Sequence, residues 1–125
     1  MAFALDLFSS HARDDGRLEE ALEAALEGLR IRRDEGDVEH QLDGLSRTAF
    51  IYARADRVET GATLLSSSVH LHEELGMLVP LYQEKRNEET LHILREQLDE
   101  AAFAEAWERG EKLTLDEAVA LALGD

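Results

Sequence analysis

Histidines and serines that lie close together in the sequence are the first candidates for metal binding or catalysis. His70 and His72 are two residues apart, and on a helix that spacing directs them to different faces, so they cannot chelate one ion. Three serines at 66–68 precede His70, but no G-x-S-x-G elbow surrounds them, and three consecutive residues cannot share one helix face. We interpret these serines as side chains that face neighbouring helices or solvent, not as nucleophiles.

Two carboxylate–histidine pairs have the spacing found in carboxylate-bridged bimetal sites. They are Asp37-x-x-His40 and Glu89-x-x-His92, and such sites also need two further glutamates that face inward. We interpret Asp37 as a helix cap and His92 as a surface residue. The chain has no cysteine, which excludes zinc-thiolate sites, iron–sulfur clusters and thiol nucleophiles. The sequence therefore predicts neither a metal site nor a cofactor.

A third pattern, around His40, concerns phosphoryl transfer. The segment His40-Gln-Leu-Asp-Gly-Leu-Ser46 is similar to the His-x-Leu-Lys-Gly-x-Ser motif of histidine phosphotransfer bundles. That chemistry needs an exposed imidazole, a nearby cation and a small neighbour. Here Asp43 stands at the lysine position, where its charge would repel a phosphoryl group. The other interpretation is a helix with an ordinary histidine near its start and a packing glycine at Gly44. Phosphotransfer through His40 is kept as an alternative function.

Charge and composition argue against several other classes of function. The chain has 28 acidic and 13 basic residues, for a formal net charge of −15, which disfavours direct nucleic-acid binding and binding to anionic membranes. No apolar run approaches the length of a membrane-spanning helix, and the N-terminal segment has no basic leader. No GxxxxGK[ST] loop for nucleotide phosphates is present. We expect a cytoplasmic protein that is not an enzyme.

The elements that position these residues are predicted to be helices throughout. Helix-forming residues dominate, with one proline and eight glycines. Apolar spacings of three, four and seven residues, separated by turn residues, predict helices at 2–13, 17–35, 38–54, 57–75, 81–98, 100–109 and 115–123. Gly36 is expected to end one helix in a left-handed cap. Expected N-terminal caps are Asp37, Asp56 with Glu59, and Thr114 with Glu117.

An internal repeat suggests how the helices are arranged. When the chain is shifted by 40 residues, Arg17 aligns with Arg57 and Gly36 with Gly76, and apolar positions stay in phase. Two helices in about forty residues are typical of an α-solenoid. We predict one all-α domain of stacked antiparallel hairpins, with repeats at about 1–36 and 37–76 and a C-terminal helical cap at 77–125. A bundle without repeats has the same loop spacing and is the alternative.

The same residues resemble a known family. The segments 4–16, 22–37, 42–49 and 57–76 are similar to helices of tetratricopeptide-like repeats. The tail at 101–123, AAFAEAWERGEKLTLDEAVALAL, is similar to the extreme C-terminus of large bacterial ATPase transcriptional regulators of the LuxR and AfsR kind. Those chains place a nucleotide-binding oligomerisation ATPase before a tetratricopeptide-like array. The resemblance implies a role in interaction and regulation, either as a C-terminal fragment or as a short stand-alone relative.

The resemblance and the pattern together suggest where partners bind. In such arrays the first helix of a repeat lines the concave side, so the predicted groove residues are Arg47, Phe50, Tyr52 and Arg54. The first predicted helix is strongly apolar and two repeats fall short of the three such arrays need, so we predict a homodimer through Phe3, Leu5, Leu7 and Phe8. In the tail, Phe103, Ala106 and Trp107 form a stripe that is predicted to pack on helix 81–98.

The sequence therefore predicts a non-catalytic module for protein–protein interaction or regulation, with a protein partner that it does not identify. Three alternatives stay open at this point. They are a module that binds a small-molecule effector in an apolar pocket, a phosphotransfer domain that uses His40, and a terminal cap with a purely structural role.

Overall fold

The computed structural model describes residues 17–124, and it folds them into helices without a β-strand. Six helices are present in this part of the chain: α1 (Leu18–Glu35), α2 (Val38–Arg54), α3 (Val58–Glu74), α4 (Leu81–Gln97), α5 (Glu100–Glu111) and α6 (Leu115–Leu123). The all-α prediction is confirmed, and every predicted boundary in this range lies within two residues of the observed one. The predicted helix at 2–13 lies outside the described residues.

Caps at two helix starts follow the sequence predictions. The Asp37 side chain accepts a hydrogen bond from the His40 backbone N–H at the start of α2. Thr114 and Glu117 form the reciprocal capping box that begins α6. These side chains satisfy backbone N–H groups that would otherwise have no partner in the first turn of each helix. The turns at both places are therefore defined by local chemistry.

The turn between α2 and α3 differs from its prediction. Asp56 does not cap α3, because α3 begins after Arg57 without a side-chain cap. Asp56 instead has a left-handed backbone, with φ of 62°, and the Arg57 N–H bonds the Tyr52 carbonyl. This geometry closes the C-terminus of α2, as a left-handed glycine usually does. The predicted Asp56–Glu59 box is thus wrong, because Asp56 is used to end the preceding helix.

Helix α2 lies at the centre of the described structure. It packs against α1, α3 and α4, while α3 also packs against α5. This pattern of contacts between neighbours and next neighbours is compatible with stacked hairpins, and the solenoid description stays a prediction. Helix α6 folds back to contact α1, α2 and α3, and the Tyr52 hydroxyl donates to the Ala122 carbonyl at 3.0 Å. Residues from all six helices contribute to the buried apolar core or pack against it.

Helix α5 packs chiefly against α3, and its contact with α4 is slight. The prediction that the tail stripe packs on helix 81–98 is therefore wrong in its main partner. The physical reason is a row of small hydroxyl side chains on α3, Thr63, Ser66 and Ser67. They donate to carbonyls of α5 at 3.3, 2.6 and 2.8 Å respectively. We call this contact the hydroxyl seam, and its small side chains let the two helices approach closely.

Candidate functional site

A cluster of buried charged and polar residues joins α2 to α4. The Arg86 guanidinium donates to the Asp43 carboxylate, and Arg47 pairs with the other oxygen of that carboxylate at 3.3 Å. The Ser46 hydroxyl donates to the Asn87 amide oxygen and accepts from Arg86 Nε at 3.3 Å. All five side chains are buried, so this cluster acts as a connection between helices.

Burial has a clear electrostatic effect at Arg86. Loss of hydration lowers the pKa of Arg86 below its ordinary value, and the nearby Arg47 charge lowers it further, while the Asp43 carboxylate opposes both effects. One carboxylate thus stabilises two buried guanidinium groups. Asp43, which stands at the lysine position of the predicted phosphotransfer motif, is directed into this ion cluster.

His40, the residue predicted to carry phosphoryl transfer, is exposed on the first turn of α2. Its Nδ1 lies 2.7 Å from the Asp37 carboxylate. Burial by itself would raise the pKa of Asp37, but hydrogen bonds from the His40 backbone and ring outweigh it and lower that pKa. The lysine position of the motif is occupied by the buried Asp43. Phosphotransfer through His40 stays a prediction.

The serines at 66–68 are buried, and each hydroxyl is engaged by a backbone carbonyl. Ser66 and Ser67 belong to the hydroxyl seam, and Ser68 donates to the Leu42 carbonyl at 2.9 Å. The nearby His70 ring donates from Nδ1 to the Ser66 carbonyl at 2.8 Å. A nitrogen that donates there cannot take a proton from the Ser66 hydroxyl. The geometry thus agrees with the interpretation that these serines face neighbouring helices.

His72 is buried against the first turn of α4. Its Nε2 lies 2.9 Å from the side-chain amide nitrogen of Gln83, so Nε2 accepts a hydrogen bond and the proton of the neutral ring resides on Nδ1. That Nδ1 meets no hydrogen-bond partner among the described residues. Loss of hydration lowers the pKa of His72 below 6.5, and the Met77 backbone, with the carboxylates of Asp43 and Glu39, opposes this only in part.

This burial predicts a pH dependence of stability. The unfolded chain binds a proton at His72 near pH 6.5, whereas the folded chain binds it only at lower pH. The contribution of neutral His72 is therefore fully present above pH 6.5 and is lost as pH falls toward the folded-state pKa, by at most about 1.4 kcal/mol for each pH unit.

The measurement is the free energy of unfolding in urea at pH 7.5 and pH 5.5, for the wild type and His72→Gln. The loss on acidification is expected to be smaller in the variant, since the other titrating groups are common to both proteins. Equal losses in the two proteins would contradict the burial argument.

Three of the four predicted groove residues lie in the interior of the structure. Arg47 belongs to the ion cluster, Phe50 is buried, and Tyr52 is buried with its hydroxyl bonded to α6. Only Arg54 is exposed, with its guanidinium carbon 5.5 Å from the centre of the Phe50 ring. Partner binding by these four residues would need the covered face of α2 to open, and it stays a prediction.

The residues predicted to form a dimer interface lie outside the described part of the chain, and the homodimer also stays a prediction. These residues are Phe3, Leu5, Leu7 and Phe8.

The structure instead shows an apolar cavity at one end of the helices. Its volume is about 410 Å³, and it lies between the start of α2, the end of α3 and the turn from α5 to α6. We call it the end notch. Its apolar lining residues are Val38, Leu71, Leu75, Leu113 and Leu115. Val38 and Leu75 are 37% and 49% exposed, so the notch presents apolar side chains to solvent.

Alternation of helix direction brings these residues together. Successive antiparallel helices return the turns after α1, α3 and α5 to the same end of the structure. Gly36 and Gly76 have positive φ values of 69° and 67°, which let the chain reverse tightly after α1 and α3. The capping box at Thr114 then begins α6 directly beside the notch.

Two carboxylates and one cation line the notch. Glu74 and Glu111 are exposed lining residues, while the ammonium of Lys112, which also lines the notch, is paired with Glu108 at 3.2 Å. The adjoining helix ends carry further exposed carboxylates, at Glu35, Glu39, Glu73, Asp116 and Glu117, and the basic residues Arg32 and Arg33 at the end of α1. The notch therefore combines an apolar floor with a negatively charged rim.

Comparison of the chain with models of known protein families, with curated proteins and with solved structures finds no match. Within residues 17–124, none of the helices combines the length and the apolar character that crossing a membrane requires. The same range contains no group of three histidine or carboxylate side chains placed to hold a metal ion.

The sequence reasoning did not select the residues of the end notch. A signal was nonetheless available, because turns are usually polar and the turn after α3 carries the apolar run Leu75-Gly-Met-Leu-Val-Pro80. Leu113 likewise lies in the short turn before α6. Apolar residues in turns indicate a surface that other groups cover, but their convergence at one end depends on the fold.

Proposed function

We propose that this chain is a non-catalytic protein-interaction module that docks an amphipathic, positively charged segment of a partner protein in the end notch. The observation that carries the proposal is the set of solvent-facing apolar side chains that share the notch with the carboxylates of Glu74 and Glu111. An apolar anchor and a complementary charged rim are the two features that protein interfaces combine.

The apolar floor supplies the affinity in this proposal. Full burial of a leucine-sized side chain is worth about 1.5–3 kcal/mol. Leu75 and Val38 have much of their surface in contact with water, so an anchor seated between them would remove apolar area from water on both sides. The cavity volume of about 410 Å³ lies within the range of sites that hold ligands.

The rim supplies selectivity for positive charge. Glu74 and Glu111 line the notch, and the whole chain carries a net charge of −15. A basic segment would be attracted to this field and an acidic one repelled, so association would be faster at low salt. This complementarity is why we propose a basic amphipathic occupant and not a second copy of the acidic chain.

The proposal includes a cellular setting. The resemblance to the C-terminal region of LuxR- and AfsR-type regulators implies that such docking serves regulation of transcription in the cytoplasm. The tetratricopeptide-like solenoid and the absence of catalysis belong to the same proposal. The docking function is supported by the notch and its charge. The non-catalytic role is supported by the serines at 66–68, because each of their hydroxyls donates to a backbone carbonyl.

Selection of peptides from a random phage-displayed library on the whole chain provides the test. We expect the enriched peptides to combine apolar residues with arginine or lysine. Leu75→Arg should weaken binding of their synthetic copies by tenfold or more, because it places a cation in the notch. Fluorescence anisotropy of labelled peptides measures this change.

Leu121→Arg is the matched control. Leu121 is 40% exposed and Leu75 is 49% exposed, and both lie at the C-terminal end of a helix, where a cation is tolerated. Leu121 is not among the lining residues of the notch, so its replacement should leave peptide affinity unchanged. Enrichment of acidic peptides, equal binding to both variants, or self-association that Leu75→Arg abolishes would each overturn the proposal.

A further inference from the structure

We infer that the exposed face of α5 continues the end notch as a subsite for an arginine side chain. This inference rests on the proposed function and adds to it a specific arrangement in the partner. An apolar anchor enters the end notch, and an arginine next to it lies against Trp107 and between the carboxylates of Glu108 and Glu111.

The subsite is a groove along α5. Its volume is about 550 Å³, and it is lined by Phe103, Ala104, Trp107, Glu108, Glu111 and Lys112. The spacing of four residues places Phe103, Trp107 and Glu111 along one side of the helix, and Glu108, three residues before Glu111, lines the same groove. The groove thus offers aromatic surface and carboxylates to the same ligand.

The groove adjoins the end notch. Glu111 and Lys112 line both cavities, so the two cavities meet at these residues. A single short segment of a partner that crosses this border would reach both. The shared border is the observation that relates the two cavities to one docking surface.

One ring of an aromatic pair on α5 already holds a cation within the chain. Phe103 and Trp107 are stacked with ring centres 5.4 Å apart and planes 15° from parallel. The Arg95 guanidinium carbon lies 4.6 Å from the centre of the Phe103 ring. Tryptophan is the aromatic residue with the strongest attraction for cations, so Trp107 is suited to receive a second guanidinium from outside.

The carboxylates favour an arginine as that outside cation. The Lys112 ammonium lies 3.2 Å from the Glu108 carboxylate, in an exposed ion pair between residues four apart. Such pairs are weak and easily exchanged. A planar guanidinium can stack on an indole ring and donate two hydrogen bonds to a carboxylate at once, which an ammonium cannot. The groove is therefore expected to prefer arginine over lysine.

Trp107 provides a direct readout, because it is the only tryptophan of the chain. The probe is the tightest peptide from the selection described above, in its arginine form and with that arginine replaced by lysine or glutamine. The arginine peptide should change the Trp107 emission on titration. The glutamine form should bind about tenfold more weakly, and the lysine form should have an intermediate affinity.

Substitution of the carboxylates tests the other half of the subsite. Glu108→Gln with Glu111→Gln should weaken the arginine peptide by about tenfold and reduce the salt dependence of binding. The matched control is Glu88→Gln with Glu89→Gln. These exposed α4 carboxylates lie outside both cavities, and their substitution removes the same net charge. That control should leave affinity within twofold of the wild type.

The two proposals fail in different ways. Binding that depends on Leu75, with unchanged Trp107 emission on titration with the arginine peptide, would overturn the arginine subsite and leave the docking function intact. Equal affinity in the Glu108/Glu111 and Glu88/Glu89 double variants would overturn the subsite and also the charged rim of the notch, because Glu111 lines both cavities. Absence of any peptide whose binding depends on Leu75 would overturn both. Equal affinities of the arginine and glutamine peptides would also overturn the subsite.

Discussion

Replacing Gly110 by alanine is expected to lower the free energy of unfolding by roughly 2–4 kcal/mol, after the gain of about 1 kcal/mol that alanine brings to a helix. A Cβ atom at this position would lie 2.1 Å from the Thr63 carbonyl oxygen and 2.7 Å from the Ser66 Cβ. The nearest atom belongs to the backbone of α3, so it cannot turn aside as a flexible side chain would. Helix α5 would have to move away from α3.

That movement is costly because the hydroxyl seam depends on a close approach. Overpacking alone typically costs about 1–3 kcal/mol. Separation of the helices also lengthens the bonds from Ser66 and Ser67 to the carbonyls of α5, and each buried hydrogen bond contributes about 1 kcal/mol. Chemical denaturation followed by circular dichroism measures the change.

Gly44→Ala is the matched control for this prediction. It is the same substitution inside a helix, but the nearest atom to its Cβ is the end of the Leu29 side chain, at 3.0 Å. A small rotation of Leu29 relieves that contact, and alanine favours the helix by about 1 kcal/mol over glycine. The net change at Gly44 is thus expected to stay within about 1 kcal/mol. Similar losses at Gly110 and Gly44 would contradict the close approach of α3 and α5.

Asp43→Asn is expected to destabilise the chain by about 3–5 kcal/mol, the range for breaking a buried ion pair by removing one partner. Asparagine keeps the shape of the side chain but removes the charge that faces Arg86 and Arg47. Two buried guanidinium groups would then repel each other without a carboxylate between them. Urea denaturation at neutral pH measures the loss in free energy of unfolding. A variant that shows no folded baseline in the absence of urea would have lost more than this range.

A double variant separates this effect from a general loss of packing. In Asp43→Leu with Arg86→Met, both partners of this ion pair are replaced by apolar groups, so Arg86 is no longer left buried without its carboxylate, as it is in Asp43→Leu alone. We expect the double variant to be more stable than the sum of the two single losses predicts, by at least about 1 kcal/mol. Strict additivity would show that the two residues do not interact in the folded protein.

The helices could be predicted from the sequence because their signals are local. Gly36, Asp37, Thr114 and Glu117 act within one turn of where they stand, so their roles can be recognised from neighbouring residues alone. Asp56 shows the limit of this reasoning, since the same residue type can begin one helix or end another. The choice there depended on how α2 and α3 pack together.

Partners between helices could not be predicted in the same way. Asp43 looked like an obstacle to phosphate binding in the sequence, yet its role is to pair with Arg86, which lies 43 positions away. From the sequence, the serines at 66–68 could face neighbouring helices or solvent, and in the structure all three are buried. A polar residue is compatible with solvent or with a buried partner, and only the fold decides between them.

The candidate site depended on the fold in a further respect. Leu75 and Leu113 belong to different turns, and Trp107 was expected to be covered by α4. The end notch and the α5 groove exist because α5 packs on α3 instead, which leaves the outer face of α5 open beside the turns. No pattern within α5 itself indicated that choice.

The hydroxyl seam also has a consequence for synthesis of the chain on the ribosome. Its bonds join residues that are 41 and 43 positions apart, so α3 leaves the ribosome before α5 does. A nascent chain that presented an apolar surface during this interval would be prone to aggregation. Thr63, Ser66 and Ser67 can bind water in the meantime and exchange it for carbonyls once α5 arrives.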